Sequence, residues 1–311
     1  GHSLEAMSSS AIVKQAPSRV VSIAEERGGV AGRGAIANAG AEIQVVAAQR
    51  GLAVDGFFST SARSLVALTY DTHTGQRYVL KAPALDARAV GNVMECYART
   101  GVGPLSVLCK NGVIVSEYVD DNDSYFTPGS LDNFSAKRLL SRITECDYEL
   151  DDDPITFEEK MTRVLEDAQR RAEKYGNGDE SVIYSLARDI EEVVELSRGV
   201  DGYVCHGDMH YKNVLRNNGR PLVIDPDPHL GPRETDAVAL CSSLGVRHEG
   251  LIMEMGLDLE IAEIVRRIYD ADREIYKMFR ENSPEPSPVG QASRYLIADM
   301  ARMIEDERSP F

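Results

Sequence analysis

No apolar run in this chain approaches the ~18 residues that a membrane-spanning helix requires, and no charged-then-apolar leader opens it. Cysteine is scarce. The five thiols (Cys96, Cys109, Cys146, Cys205 and Cys241) are scattered, odd in number and free of any CxxC pair. A disulfide framework and a thiolate zinc site are thereby excluded as organising features, and a reducing cytoplasm is the expected setting. Positive charge is also short, with 34 basic residues against 50 acidic and a formal net charge of −16. Such a surface repels nucleic acid and anionic membrane, so neither is an expected partner, and it concentrates small cations. No repeat of solenoid length is visible.

What the chain does have is length and apolar content. With 311 residues, 43% of them hydrophobic, it can bury one large core or two modest lobes. Residues 1–6 read as an expression-tag remnant ahead of Met7. The glycine-rich ERGGVAGRG (26–34) lacks the Lys-Ser/Thr of a P-loop and reads as a turn before a helix at 35–50, closed by Gly51. Strand patterns follow. FFSTSARSLVALTYD (57–71) gives two apolar runs around a small-residue turn, and HTGQ (73–76) turns into RYVLKAP (77–83). Residues 86–100 have helical spacing, and 105–121 form a hairpin with Asn111-Gly112 at its tip. Helical patterns then dominate at 131–146, 155–175 and 179–198, with two or three more toward the end and a proline-rich loop at 282–289. The expected architecture is α+β and bilobal: an antiparallel β lobe over 7–119, a hinge near 117–121, and a helical lobe over 120–311.

Three polar side chains carry the chemical signal. In HGDMHYKNVL (206–215), Asp208 and Asn213 lie five residues apart across a loop, and Asp225 ends the apolar run Leu222-Val223-Ile224. A hairpin over 214–224 would return Asp225 to the side of that loop. Two carboxylates and an amide oxygen would then share one pocket, a hard-oxygen set that suits magnesium held together with substrate phosphates. A carboxylate left off the metal could take a proton from an attacking hydroxyl.

These motifs resemble a known family. HGDMHYKN looks like the HGDxxxxN loop of small-molecule kinases of the aminoglycoside phosphotransferase and choline-kinase type, IDPDP (224–228) resembles their metal-binding IDxxx, and GPRETD (231–236) resembles the segment ending in a buried Asp. The wording IDPxPxxG leans toward the branch with streptomycin- and hydroxyurea-type antibiotic kinases. The resemblance is specific over 203–240 and looser over 57–120. It implies a protein-kinase-like fold and an ATP-dependent kinase that phosphorylates a hydroxyl of a small, cationic antibiotic or related metabolite, with GTP open as the donor. It implies Asp208 as base, Asn213 and Asp225 as magnesium ligands, and His206 as a brace for the loop. His210 and Asp227 would face the substrate, Asp227 alternatively a second metal. Lys81 and Glu95 would pair and pin the nucleotide phosphates, while Glu117 and Val119 would offer backbone groups to a purine. The phosphate-covering turn STSARS (59–64) departs from the pattern because it has no glycine, leaving Ser61 and Ser64 to present backbone N–H groups.

Acidic clusters at Asp120, Asp121 and Asp123, and at Asp151 to Asp153, would bind a polycationic acceptor or serve as solvated helix caps. Cys205 reads as a small buried residue ending a strand. Two other classes stay open at this point. One is a metal-dependent hydrolase using His206, Asp208, His210 and Asp225. The other is a non-catalytic binding module. Oligomeric state is not encoded in any pattern recognised here.

Overall fold

The computed structural model describes residues 38–58, 64–83, 87–119, 125–146, 155–175, 180–199, 202–246 and 248–282. They fall into two compact units. One runs to Val119 and includes 216–222; the other comprises 125–215 and 223–282. Mixed helix and antiparallel sheet is the class that the sequence led us to expect.

The first unit is built on a five-stranded antiparallel sheet in the order β1-β2-β3-β5-β4, with β1 Leu52–Phe58, β2 Ser64–Asp71, β3 Arg77–Pro83, β4 Ser106–Leu108 and β5 Ile114–Glu117. Alternation along β2 decides its packing. Leu65 and Ala67 join the larger core with Leu80, Val113 and Val115, whereas Val66 and Leu68 point the other way, toward Val79 and Tyr118. The helix at 38–49 contributes Ala39, Ile43, Val46 and Ala47 to the larger core. Positions 39, 43, 46 and 47 stand at i, i+4, i+7 and i+8, which places them on one helical stripe. Helix Ala87–Thr100 lies close to β4: a methyl group at Gly91 would meet the Leu108 side chain at 2.5 Å. A larger residue here would require the Leu108 side chain to move.

The second unit is mainly helical, with helices Asn133–Thr144, Phe157–Tyr175, Glu180–Ser197, Glu234–Leu244, His248–Glu254 and Leu259–Asn282. Asp132 starts the first of these by accepting from the Ser135 N–H at 2.7 Å. Two short ladders lie between the third and fourth of these helices in the chain, the second of them made largely of residues 216–222, which belong to the first unit. Strand β6 (Tyr203–Cys205) pairs antiparallel with β9 (His229–Gly231), and β7 (Val214–Asn217) pairs with β8 (Arg220–Val223). The β7–β8 turn is Asn218-Gly219, both at positive φ (52° and 76°), which is the two-residue turn that matches strand twist. That ladder is the return from Asn213 toward Asp225 expected from the sequence. No helix among the described residues is long and apolar enough to cross a membrane.

Candidate active site

The site starts from a backbone problem. At the end of β6 the chain must turn sharply, and Gly207 does so at φ 84°, in the left-handed region that suits glycine. A Cβ here would lie 2.0 Å from the carbonyl oxygen of Asp227. The preceding N–H groups turn inward onto one carboxylate. Asp236 accepts from His206 N at 2.7 Å and from Gly207 N at 3.1 Å. Burial pushes the Asp236 carboxyl up, while the two N–H donors and nearby His206 favour its charged form.

His206 is fully buried and braces the loop as expected. Its Nδ1 accepts from the Asp208 N–H at 3.2 Å, so Nε2 carries the proton and donates to the Ile224 carbonyl at 2.8 Å. Burial holds its pKa below the usual histidine value, in keeping with a neutral ring. The Asp227 N–H donates to the His206 carbonyl at 2.7 Å, and the Ile224 N–H donates to the Asn213 carbonyl at 2.9 Å. The segment carrying Asp225 is therefore bonded on one side to His206 and on the other to Asn213. Asp225 itself sits at φ 52°. A strained left-handed backbone at a non-glycine residue is a frequent companion of function.

Asp208 points outward, with its side chain 48% exposed. His210 Nε2 lies 3.2 Å from one carboxylate oxygen, and Asn213 Nδ2 donates to the other at 3.0 Å and to the Asp208 carbonyl at 2.9 Å. Desolvation would raise the Asp208 pKa, but the charge and hydrogen bond of His210 outweigh it and hold the carboxyl well below the usual range. With its amide nitrogen turned to Asp208, buried Asn213 leaves its amide oxygen as a group that could hold a cation. The structure thus joins Asp208, His210 and Asn213 directly, and ties Asp225 to them through Ile224. The donors are all oxygen, one amide and one carboxylate, a set that fits magnesium shared with phosphates.

Asp227 differs from its expected place facing a substrate or a second metal. Its carboxylate is bonded to Lys160 at 2.6 Å, a residue that sequence reasoning passed over. His229 was also missed. It is buried, stacked on Phe157, and its Nε2 has no hydrogen-bond partner among the described residues. Burial, followed by the Lys160 charge, lowers its pKa to about 3. Cys205 is a buried strand end as expected, its Sγ lying 3.5 Å from the Pro232 carbonyl; burial raises its thiol pKa.

In the first unit, Lys81 is half-buried on β3, opposite Val66 and Ile114. The expected brace from Glu95 is corrected. Its carboxylate instead accepts from the Leu108 N–H at 2.7 Å, because the packed helix brings it to an open position on β4. Ser64 is also corrected: it is a buried β2 residue paired with Pro83, not part of a phosphate-covering turn. The Glu117 N–H donates to the Leu105 carbonyl at 2.9 Å, so a purine could not take that donor; Val119 follows β5, half-buried. Ser61, Asp120, Asp121, Asp123, Asp151 to Asp153 and the 26–34 segment lie outside the described residues.

No family model and no curated relative matches the chain. Among solved structures it is similar to choline kinase LicA from Streptococcus pneumoniae, with TM-score 0.54 and 16% identity over 84% of this chain and 97% of that one. LicA in complex with AMP gives TM-score 0.51 and 18% identity over 85% and 96%. A choline/ethanolamine kinase family protein from Mesorhizobium loti gives 0.50 and 13% over 78% and 85%. The fold of this chain is therefore that of small-molecule kinases of the choline-kinase type, which the motifs at 206–213 and 224–228 had implied.

Proposed function

We propose that this chain is an ATP-dependent O-phosphotransferase acting on a hydroxyl group of a small molecule. The observation that carries this reading is the bonded set around Asp208: an exposed, ionised carboxylate is fixed by Asn213, while Ile224 ties the Asp225 segment to the same loop. A base beside hard-oxygen metal ligands is the arrangement phosphoryl transfer needs. Asp208 accepts the proton of the acceptor hydroxyl, and the hydroxyl oxygen attacks the γ-phosphorus. The bond from that phosphorus to the β-phosphate oxygen breaks, giving a phosphate ester, ADP and a proton. Asn213 and Asp225 would hold Mg²⁺, which when bound neutralises charge on the phosphate oxygens. The fold likeness to a protein whose structure contains AMP favours ATP over GTP as donor.

The acceptor class we favour is a cationic, hydroxyl-bearing molecule, with an antibiotic as the finer reading. The net charge of −16 supports a cation. The choline and ethanolamine named for the similar structures are small amine-bearing alcohols, and they support the same class. The hydrolase alternative has no support in the geometry. Both ring nitrogens of His206 are already bonded, and no three His, Cys, Asp or Glu side chains gather to bind a metal among the described residues.

The experiment is incubation with ATP, magnesium and a panel of amino alcohols and amine-bearing antibiotics, read by mass spectrometry. A gain of one phosphoryl group on any member supports the proposal. Ester hydrolysis with a transition metal and no nucleotide would replace it.

A further inference from the structure

We propose that Lys160 is a positioning residue for the Asp208 loop, acting through Asp227; this rests on the phosphotransfer reading above. The start of helix Phe157–Tyr175, together with Ile155 just before it, grips the chain just after Asp225 at three points. The Leu230 N–H donates to the Ile155 carbonyl at 2.9 Å. Phe157 stacks on His229 with ring centroids 6.2 Å apart. Lys160, one helical turn on from Phe157, places Nζ 2.6 Å from the Asp227 Oδ2. Both partners are shielded, with 14% and 26% of their side chains exposed.

Asp227 passes that anchorage directly to the loop. Its N–H donates to the His206 carbonyl at 2.7 Å, and its carbonyl oxygen fills the space a Cβ on Gly207 would need. A shift of the Asp227 backbone therefore moves residues 206 and 207, and Asp208 follows them in sequence. An apolar pair would hold the helix in place as firmly, because a shielded ion pair adds little net stability. A charged hydrogen bond additionally fixes distance and direction. The ammonium also occupies the carboxylate that the sequence offered to substrate or a second metal. Nothing in the local spacing announces it, since 67 residues separate the two partners.

The test uses the full chain and four variants: Lys160→Met, Asp227→Asn, the double variant, and Lys160→Arg. The probe is magnesium and ATP with water standing in for the acceptor, read as ADP formation, with nucleotide affinity and thermal midpoint measured separately. A misplacement of about 1 Å can lower a rate ~100-fold, so Lys160→Met should lose at least ~10-fold in kcat. Its nucleotide Kd should stay within about 2-fold of wild type, and Lys160→Arg should restore most of the rate. The double variant leaves no unpaired charge, so it keeps a foldable protein in hand and should be as slow as either single change. Full recovery of kcat in the double variant would assign the loss to an orphaned charge and overturn positioning. So would a Lys160→Met rate equal to wild type while Asp208→Ala is inactive. A wild-type chain that forms no Asp208-dependent ADP and also transfers no phosphoryl group to any member of the acceptor panel would overturn the kinase reading itself, and this inference with it.

Discussion

Between Tyr203 and Asp236, polar groups bond mostly to one another: His206 to Ile224 and Asp208, Asp236 to two successive N–H groups, Asn213 to Asp208. Between Ser64 and Val119 they serve the sheet instead. Thr69 donates to the Tyr78 carbonyl, Ser106 and Ser116 share a hydrogen bond, and Glu95 satisfies Leu108. The first stretch is a loop cluster held mainly by its own bonds, with Lys160 and Phe157 docked on its later part. The second is a scaffold whose polar residues hold strands and a helix in register. Under the proposed function, preorganisation of this kind would let a fixed base and fixed ligands act without rearranging during the reaction.

The contrast can be broken most severely at Gly207. Gly207→Ala adds a methyl group where the Asp227 carbonyl lies, at a φ that disfavours a side chain. It should cost about 3 kcal/mol, read as a lower denaturant midpoint, and should slow any turnover with it. Unchanged stability would mean that the loop is not held as described.

Glu95→Ala sharpens the other half. It leaves the Leu108 N–H without its carboxylate and should cost about 1–2 kcal/mol, with nucleotide affinity little changed. A brace on Lys81 would give the opposite result, a loss of nucleotide affinity at nearly constant stability.

The smallest effect is set by pH. His229 has its folded pKa lowered from 6.5 to about 3, so between those values the unfolded chain binds more protons than the folded one. Stability present above pH 6.5 is then lost as pH falls toward 3, by up to about 1.4 kcal/mol per pH unit from this group. His229→Leu should flatten the decline in denaturant midpoint between pH 6.5 and 5.5. The buried His206, shifted in the same direction, adds to the slope that remains, while Asp236 and Asp272, whose carboxyls burial pushes up, act against it. An identical decline in the variant would remove His229 from the account.

Legibility in the sequence followed the same division. From Ser64 to Glu117 the strands appeared near their expected places because alternation and turn dipeptides are local signals, whereas β1 begins at Leu52, ahead of the run expected from Phe57. Asp208 and Asn213 were visible because one loop carries both, and the hairpin returns the Asp225 segment, bonded to Asn213 through Ile224, to that loop. Lys160 and His229 were not, since their roles arise when a helix begun at Phe157 docks on residues 227–230. Glu95 was misjudged for a related reason. A helical Glu downstream of a strand Lys fits a kinase pattern, but its partner depends on which strand the helix packs against, and here β4 is that strand.

The central claim is that Asp208 removes the acceptor proton while Asn213 and Asp225 serve the nucleotide's metal. It is tested most directly by measuring phosphoryl transfer and nucleotide binding in parallel on Asp208→Ala. The account predicts a transfer rate lower by ~100-fold or more with the affinity for magnesium-ATP close to wild type. Transfer that persists at near wild-type rate, with nucleotide still bound, would contradict it.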